Sequence, residues 1–127
     1  MAKLIPVKTR HDIYGEKPII ELTGLGNQLC YEESAGRWFR SSQECVKKDL
    51  ILFQEMYKQE SYVSEADLHD CLGIRTITQD FDYGWSVWIH DDIKLTKMEL
   101  VPNGFKGMDE SVLVIKPTIP PVKDYAD

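Results

Sequence analysis

The stretch that decides the fold is the longest amphipathic run of the chain, SSQECVKKDLILFQEMY, residues 41–57. Ser41 and Glu44 fit a capping box, in which each side chain bonds the other residue's free N–H, and this predicts where a helix begins. One apolar stripe at helical spacing consists of Val46, Leu50, Phe53 and Tyr57. A second stripe, about 100° away, consists of Cys45, Leu52 and Met56. An apolar face this wide predicts a long helix that packs against a sheet and against a further element.

Strand-like segments precede this helix. Residues 18–23 and 28–31 are rich in apolar residues, and between them Gly24–Asn27 supplies the positive φ angles that a tight reversal needs. We therefore expect these two segments to pair as an N-terminal β-hairpin. Ala35 and Gly36 indicate a second turn, after which residues 37–40 could add a short third strand.

After the long helix the pattern changes twice. Ser64–Asp67 caps a short helix that Gly73 ends, because glycine readily adopts the left-handed conformation of a helix C-terminus. Apolar residues alternate from Gly84 to His90, and residues 93–101 and 111–116 form two further strands. The order predicts an α+β fold with an N-terminal β-hairpin, one long and one short helix, and a C-terminal three-stranded antiparallel meander.

The length of 127 residues predicts a single domain over residues 1–127. Residues 1–15 read as an extended arm, and residues 117–127 as a proline-rich tail. Three cysteines, an odd number without CxxC spacing, argue against a secreted disulfide scaffold. Neither a signal peptide nor an apolar run of membrane-spanning length is present. We therefore expect a cytosolic chain with reduced cysteines.

The net charge of −6 restricts the class of partner. Direct binding to nucleic acid depends on clustered Lys and Arg residues that displace counterions from the phosphates. In an acidic chain this electrostatic contribution to the binding free energy is unfavourable. An acidic protein is instead steered towards basic surfaces, including the nucleic-acid channels of other proteins. The sequence therefore favours a protein partner over nucleic acid.

No catalytic motif stands out. Gly24-Leu25-Gly26 lacks the third glycine and the following helix of a dinucleotide fingerprint. His69 and Cys71 lie two apart on the short helix and do not face each other, so we expect a surface histidine and a core cysteine. A zinc site that joins His69 to the cysteines has no known ligand spacing and is the less favoured alternative. We predict that the protein is not an enzyme.

Four carboxylates form the candidate metal site. In a meander, the loop before the first strand lies at the same end as the loop that joins the second strand to the third. This would bring together Asp80, Asp82, Asp109 and Glu110. Oxygen ligands of this kind suit Mg²⁺ or Ca²⁺, although a solvated acidic rim is the simpler interpretation. No other cofactor is predicted.

An aromatic cluster in the same region suggests a contact surface. Trp85 and Trp88 would point to opposite faces of a strand, so that one lies in the core and the other is covered by the helices or exposed. Exposed Trp and Tyr residues often contribute strongly to interface energy. The candidate partner-binding residues are Asp80, Asp82, Tyr83, Trp88, Asp91 and Asp92.

Ordered landmarks over about residues 20–125 give the chain a family resemblance. They are Leu29–Tyr31, Gly36–Ser41, the long helix, Tyr62–Ser64, Leu72-Gly73, Gly84-Trp85, Val112–Ile115 and Pro120–Tyr125. In this order they resemble a family of phage and prophage proteins from Gram-positive bacteria with no assigned function. Longer members carry an N-terminal membrane segment, which this sequence lacks, so the resemblance implies a soluble version.

The resemblance implies a context and no catalytic residues. A small acidic phage protein in a bacterium with phage defences is expected to inhibit a defence effector in the host cytoplasm, and a Cas9-type nuclease is the leading candidate. Such an anti-CRISPR protein would be a monomer or a weak dimer. The alternative is a phage assembly module that oligomerises through the long helix.

Overall fold

Two β-sheets and three helices make up the computed structural model, which describes residues 3–6 and 18–126. The strands are β1 Lys3–Pro6, β2 Ile19–Leu22, β3 Gln28–Glu32, β4 Arg37–Ser41, β5 Tyr62–Ser64, β6 Tyr83–Ser86, β7 Thr96–Val101, β8 Val112–Pro117 and β9 Val122–Lys123. The helices are α1 Gln43–Glu60, α2 Glu65–Leu72 and α3 Val87–His90, with 3₁₀ turns at Thr78–Phe81 and Phe105–Gly107. The larger sheet has the order β1-β2-β4-β3-β8-β7, and the smaller one β5-β6-β9. The predicted α+β class is confirmed.

Helix α1 is the long helix that the apolar spacing predicts. Its N-cap is Ser42, whose side chain accepts a hydrogen bond from the Cys45 N–H at 3.1 Å, and not Ser41, which is the buried last residue of β4. Three residues of the first stripe are fully buried, namely Val46, Phe53 and Tyr57. They share one core with residues of both sheets, and the Phe53 ring lies edge-on to Trp85 of the smaller sheet at 5.7 Å between centroids. Helix α1 therefore joins the two sheets.

The predicted pairing of residues 18–23 with 28–31 is wrong. Strand β4 lies between β2 and β3, parallel to β2 and antiparallel to β3. The turn before β4 closes a local β3–β4 hairpin, which fills one edge of β3. The other edge of β3 pairs with β8, so neither edge is left for β2. The loop from β2 must therefore span two strand separations, about 10 Å, across the end of β4.

The predicted meander is also wrong. Strands β7 and β8 pair antiparallel in the larger sheet, whereas β6 belongs to the smaller one. The alternating pattern predicted a strand through His90, but pairing ends at Ser86. Beyond this point the backbone pairs with no strand among the described residues and forms helix α3, after which the Asp91 N–H donates to the Val87 carbonyl at 3.1 Å.

The ends of the chain contain more regular structure than the sequence suggests. Strand β1, within the predicted arm, pairs antiparallel with β2, and the rest of that arm lies outside the described residues. Strand β9, within the predicted tail, pairs with Tyr83 and Gly84. Among the described residues, no helix is long and apolar enough to cross a membrane.

Gly26 lies where the loop crosses the end of β4, and its replacement tests that crossing. It has a φ of 151°, and a Cβ there would lie 2.5 Å from the Ser41 carbonyl oxygen. Gly26→Ala should destabilise the fold by about 3 kcal/mol, because the loop backbone must move away from β4.

Gly24→Ala is the matched control, since Gly24 has a φ of 80° and no atom near its Cβ position. It should cost only about 1 kcal/mol. Equal losses in urea unfolding of the two variants would contradict the crossing.

Candidate functional site

A cluster of buried charged residues lies where α2 meets the larger sheet. Its members come from three strands, from α2 and from the 3₁₀ turn at 78–81. They are Glu21, Glu32, Arg37, Glu65, His69 and Asp80. Five of the six are buried, and Arg37 is mostly so. Charged side chains are rarely buried unless they are paired, so the contacts among these six define what the cluster does.

His69 is at the centre of the cluster, and the prediction of a surface histidine is wrong. Its Nδ1 lies 2.7 Å from Oδ2 of Asp80, and its Nε2 contacts Oε1 of Glu32. Burial alone would lower the pKa of His69, but the hydrogen bonds and negative charges of Glu32 and Asp80 outweigh it and raise that pKa. With a carboxylate at each ring nitrogen, the arrangement suits an imidazolium that donates two hydrogen bonds.

Arg37 extends the cluster across the sheet. Its Nη2 lies 2.6 Å from Oε1 of Glu21, and its Nη1 lies 3.7 Å from Oδ2 of Asp80. The order Glu21, Arg37, Asp80, His69, Glu32 therefore alternates in charge when His69 is protonated. Alternation lets each buried charge face an opposite one, which is the condition under which buried ion pairs are tolerated.

The same side chains hold the segment that follows α2. Arg37 donates to the Arg75 carbonyl at 2.7 Å, and the Arg75 N–H donates to Glu21 at 2.8 Å. Asp80 also accepts from the Ile77 N–H at 2.9 Å. Residues 75–80, polar and irregular in sequence, are thus fixed to the sheet by charged side chains.

Glu65, at the start of α2, is the member without a cationic partner of its own. Its Oε2 accepts from the Ser34 hydroxyl at 3.2 Å. Burial first, and then the nearby Glu32 carboxylate, raise the pKa of Glu65 to about 7. A proton on Glu65 therefore relieves the excess of negative charge in the cluster.

Glu32, Glu65 and His69 also have the spacing of metal ligands. One ligand atom of each residue lies within 4.8 Å of the ligand atoms of the other two. This is the one group of this kind among the described residues. Both ring nitrogens of His69 already face carboxylates, so a metal would have to displace the proton shared with Glu32. The contacts favour a charge network that ties α2 to the sheet over a metal centre.

The predicted four-carboxylate site is not assembled. Asp80 belongs to the buried cluster, and Glu110 forms a bidentate pair with Arg40 at 2.8 and 3.0 Å. Asp82 and Asp109 are exposed. The prediction depended on a meander, and β6 lies in a different sheet from β7 and β8. Binding of Mg²⁺ or Ca²⁺ stays a prediction without a defined set of ligands.

The cysteines are equally separate from the cluster. Cys71 Sγ lies 3.6 Å from the Met56 sulfur, and burial raises the pKa of the Cys71 thiol to about 11. Burial likewise raises the pKa of Cys30 to about 12. Thiols with raised pKa values are poor nucleophiles and poor metal ligands. No group of ligands among the described residues combines a cysteine with His69.

The predicted contact residues fall at two ends of β6. Trp85 is fully buried, whereas Trp88, on α3, is 71% exposed. Asp91 and Asp92 follow Trp88 and are exposed, while Asp82 and Tyr83 lie at the other end of the strand. Asp80 is buried and contacts His69, so the prediction that it binds a partner is wrong. Trp88, Asp91 and Asp92, with the half-exposed Ile89, are called the α3 surface below.

Sequence reasoning missed most of the buried cluster. Glu21 occurs between Ile20 and Leu22 within a strand, and this was the signal available, whereas Glu32 is followed by the polar Glu33 and gave no such signal. A charged residue on a strand commonly faces solvent, so only the positions of Arg37 on the neighbouring strand and of His69 on α2 reveal this burial. Pairing of this kind depends on which strands and helices meet.

The pH dependence of stability tests the charge state of the cluster. The folded-state pKa of His69 lies above 6.5, so its stabilisation is complete below that pH and declines as pH rises through the folded value. Glu65 acts in the same direction between 4.5 and about 7, because its folded pKa is also raised. We expect the free energy of unfolding in urea to fall across this window. Glu65→Gln should flatten the lower part of the decline. His69→Gln should cost about 3–5 kcal/mol at pH 6, because the buried Glu32 loses its cationic partner and Asp80 keeps only the longer contact with Arg37. Stability that rises with pH would contradict a protonated His69.

Comparison with known proteins gives a family and no function. No curated protein and no solved structure matches the chain. One family, described as "Family of unknown function (DUF6353)", matches residues 6–126. Because this match covers nearly all of the sequence, the protein belongs to the family of unknown function DUF6353.

Proposed function

We propose that the protein is a phage-encoded, protein-binding inhibitor of a bacterial defence effector, with a Cas9-type nuclease in the host cytoplasm as the leading target. The net charge of −6 supports a basic partner surface. A nuclease of this class holds guide and target strands in positively charged channels. An acidic protein bound there would block the loading of nucleic acid.

The observation that carries the proposal is the exposure of Trp88. An indole that is 71% exposed leaves a large apolar area in water. Tryptophan is among the residues most enriched at the centres of protein interfaces. Asp91 and Asp92 beside it are exposed carboxylates, so the α3 surface combines an aromatic anchor with negative charge.

The α3 surface is held in place before any partner binds. The Tyr57 hydroxyl of α1 donates to the Asp91 carbonyl at 2.5 Å, and the Val87 N–H donates to the Ser61 carbonyl at 2.9 Å. Both ends of α3 are therefore fixed to α1. A preformed anchor loses less conformational entropy on binding than a mobile one, which supports a role in recognition.

Inhibition of a guide-loaded Cas9-type nuclease tests this proposal. Excess protein should reduce target binding and cleavage, and Trp88→Ala should weaken inhibition by about tenfold or more, the effect of losing an interface anchor. Leu100→Ala is the control, because Leu100 is a half-exposed apolar residue on β7. It should inhibit as the unaltered protein does. Undiminished cleavage at excess protein would refute this target, and equal inhibition by both variants would exclude the α3 surface.

A phage assembly module is the second candidate, favoured by two neighbouring residues of α1. Ile51 is 56% exposed and Leu52 55% exposed. Adjacent exposed aliphatic side chains on a long helix suit a helix-to-helix contact between copies. The second apolar stripe, predicted to be covered, is thus open at Leu52.

Light scattering coupled to size exclusion separates the two candidates. We expect a monomer or weak dimer, because an inhibitor needs no closed assembly. A stable closed oligomer that Leu52→Lys dissociates would favour assembly through α1 instead. Leu100→Lys, the same change at a half-exposed position on β7, serves as the control.

A further inference from the structure

A groove runs along one side of α1, opposite residues 92–98. It has a volume of about 580 Å³. This is within the range of ligand-binding clefts. Helix α1 contributes positions from Lys47 to Lys58, which are three turns apart and therefore about 16 Å along the axis. The groove is long enough for a short segment of polypeptide.

The floor and edges of the groove are apolar and partly open to water. Leu50 and Met98 pack against the core beneath it. Ile51, on the helix side, and Ile93, on the opposite side, are 56% and 36% exposed. Aliphatic surface of this extent is available to apolar side chains of a ligand.

The charge of the groove is opposite to that of the chain. Its lysines are Lys47, Lys58, Lys94 and Lys97, and its acidic residues are Glu55 and Asp92. None of the four lysines forms an ion pair within the described part of the chain. Four lysines against two carboxylates give the groove an excess of two positive charges in a protein with a net charge of −6.

The two walls are fixed to each other by one side chain. Gln54 donates from Nε2 to the Ile93 carbonyl at 2.8 Å and accepts at Oε1 from the Leu95 N–H at 2.9 Å. These bonds hold the segment that carries Ile93 and Lys94 against α1. The groove therefore exists without a ligand, which lowers the entropic cost of binding.

We propose that this groove binds an acidic segment of another protein, with aliphatic side chains on the floor and carboxylates paired to the lysines. Charge complementarity supports an acidic ligand, and the aliphatic floor requires an apolar face on it. No aromatic residue lines the groove to stack with bases, and the net charge opposes nucleic acid. This site borders the acidic α3 surface, with which it shares Asp92, and gives the protein a second contact of opposite net charge.

Fluorescence anisotropy with designed peptides tests the groove. The probe is a fluorescein-labelled peptide of paired Glu and Leu residues that spans about three helical turns. It should bind the unaltered protein, and its affinity should fall as salt is added. A peptide with Lys in place of Glu, and one with Ser in place of Leu, should both bind at least about tenfold more weakly, because each lacks one of the two complementary features.

Two double variants of equal net charge localise the binding. The double variant Lys94→Glu with Lys97→Glu should bind the acidic probe about tenfold or more weakly, because the groove becomes acidic. Lys48→Glu with Lys123→Glu changes exposed lysines outside the groove and should stay within about twofold of the unaltered protein. Melting curves check that each variant is folded. If the variant with Lys94→Glu and Lys97→Glu does not fold, the single substitution Lys97→Gln takes its place.

Three results would overturn the proposal: no binding of the acidic probe, equal binding of the basic peptide, or equal effects of the two double variants. A dimer in light scattering that Ile93→Ser dissociates would also overturn it, because a second copy would then occupy the groove. None of these results depends on the defence nuclease, so the proposed inhibition and the groove can fail separately.

Discussion

The contact on which the rest of the structure depends is that of His69 with Glu32 and Asp80. It joins α2, the end of β3 and the 3₁₀ turn in one network, and Arg37 carries that network on to Glu21. Such a cluster holds together only while each charge faces an opposite one, since an unpaired buried charge costs several kcal/mol. Removal of the central proton leaves carboxylates that repel one another. The position of α2 and of the residues after it is thus coupled to one ionisable ring.

The two candidate surfaces, the α3 surface and the groove, both depend on α1. Tyr57 fixes α3, and Gln54 fixes the segment after it, so one helix supports both the exposed Trp88 and the lysine-lined groove. Buried apolar residues of the larger sheet share one core with α1. A helix that supports an acidic contact and a basic contact beside it suits a protein that binds, and the proposed inhibition uses the first of these.

Local signals predicted the two longer helices, α1 and α2, well, but they missed α3 and predicted the strand pairing poorly. Ser64–Asp67 caps α2 as predicted, with a capping box between Ser64 and Asp67, and Gly73 ends that helix with a φ of 77°. These features depend on hydrogen bonds within a few residues, which sequence spacing specifies. The pairing of β2 with β4 depends instead on which strand edge stays free after the β3–β4 hairpin closes. The acidic metal site failed with the meander, because it relied on that pairing.

By itself, the sequence determined the α+β class, the N-cap of α1 to within one residue, most of its buried face and the acidic character of the chain. The tertiary structure alone decided that His69 is buried between carboxylates, that Trp88 is exposed while Trp85 is not, and that lysines gather beside α1. The physical reason is the range of the interactions. Helix caps and apolar periodicity act over a few residues, whereas burial and charge pairing depend on segments far apart in the chain.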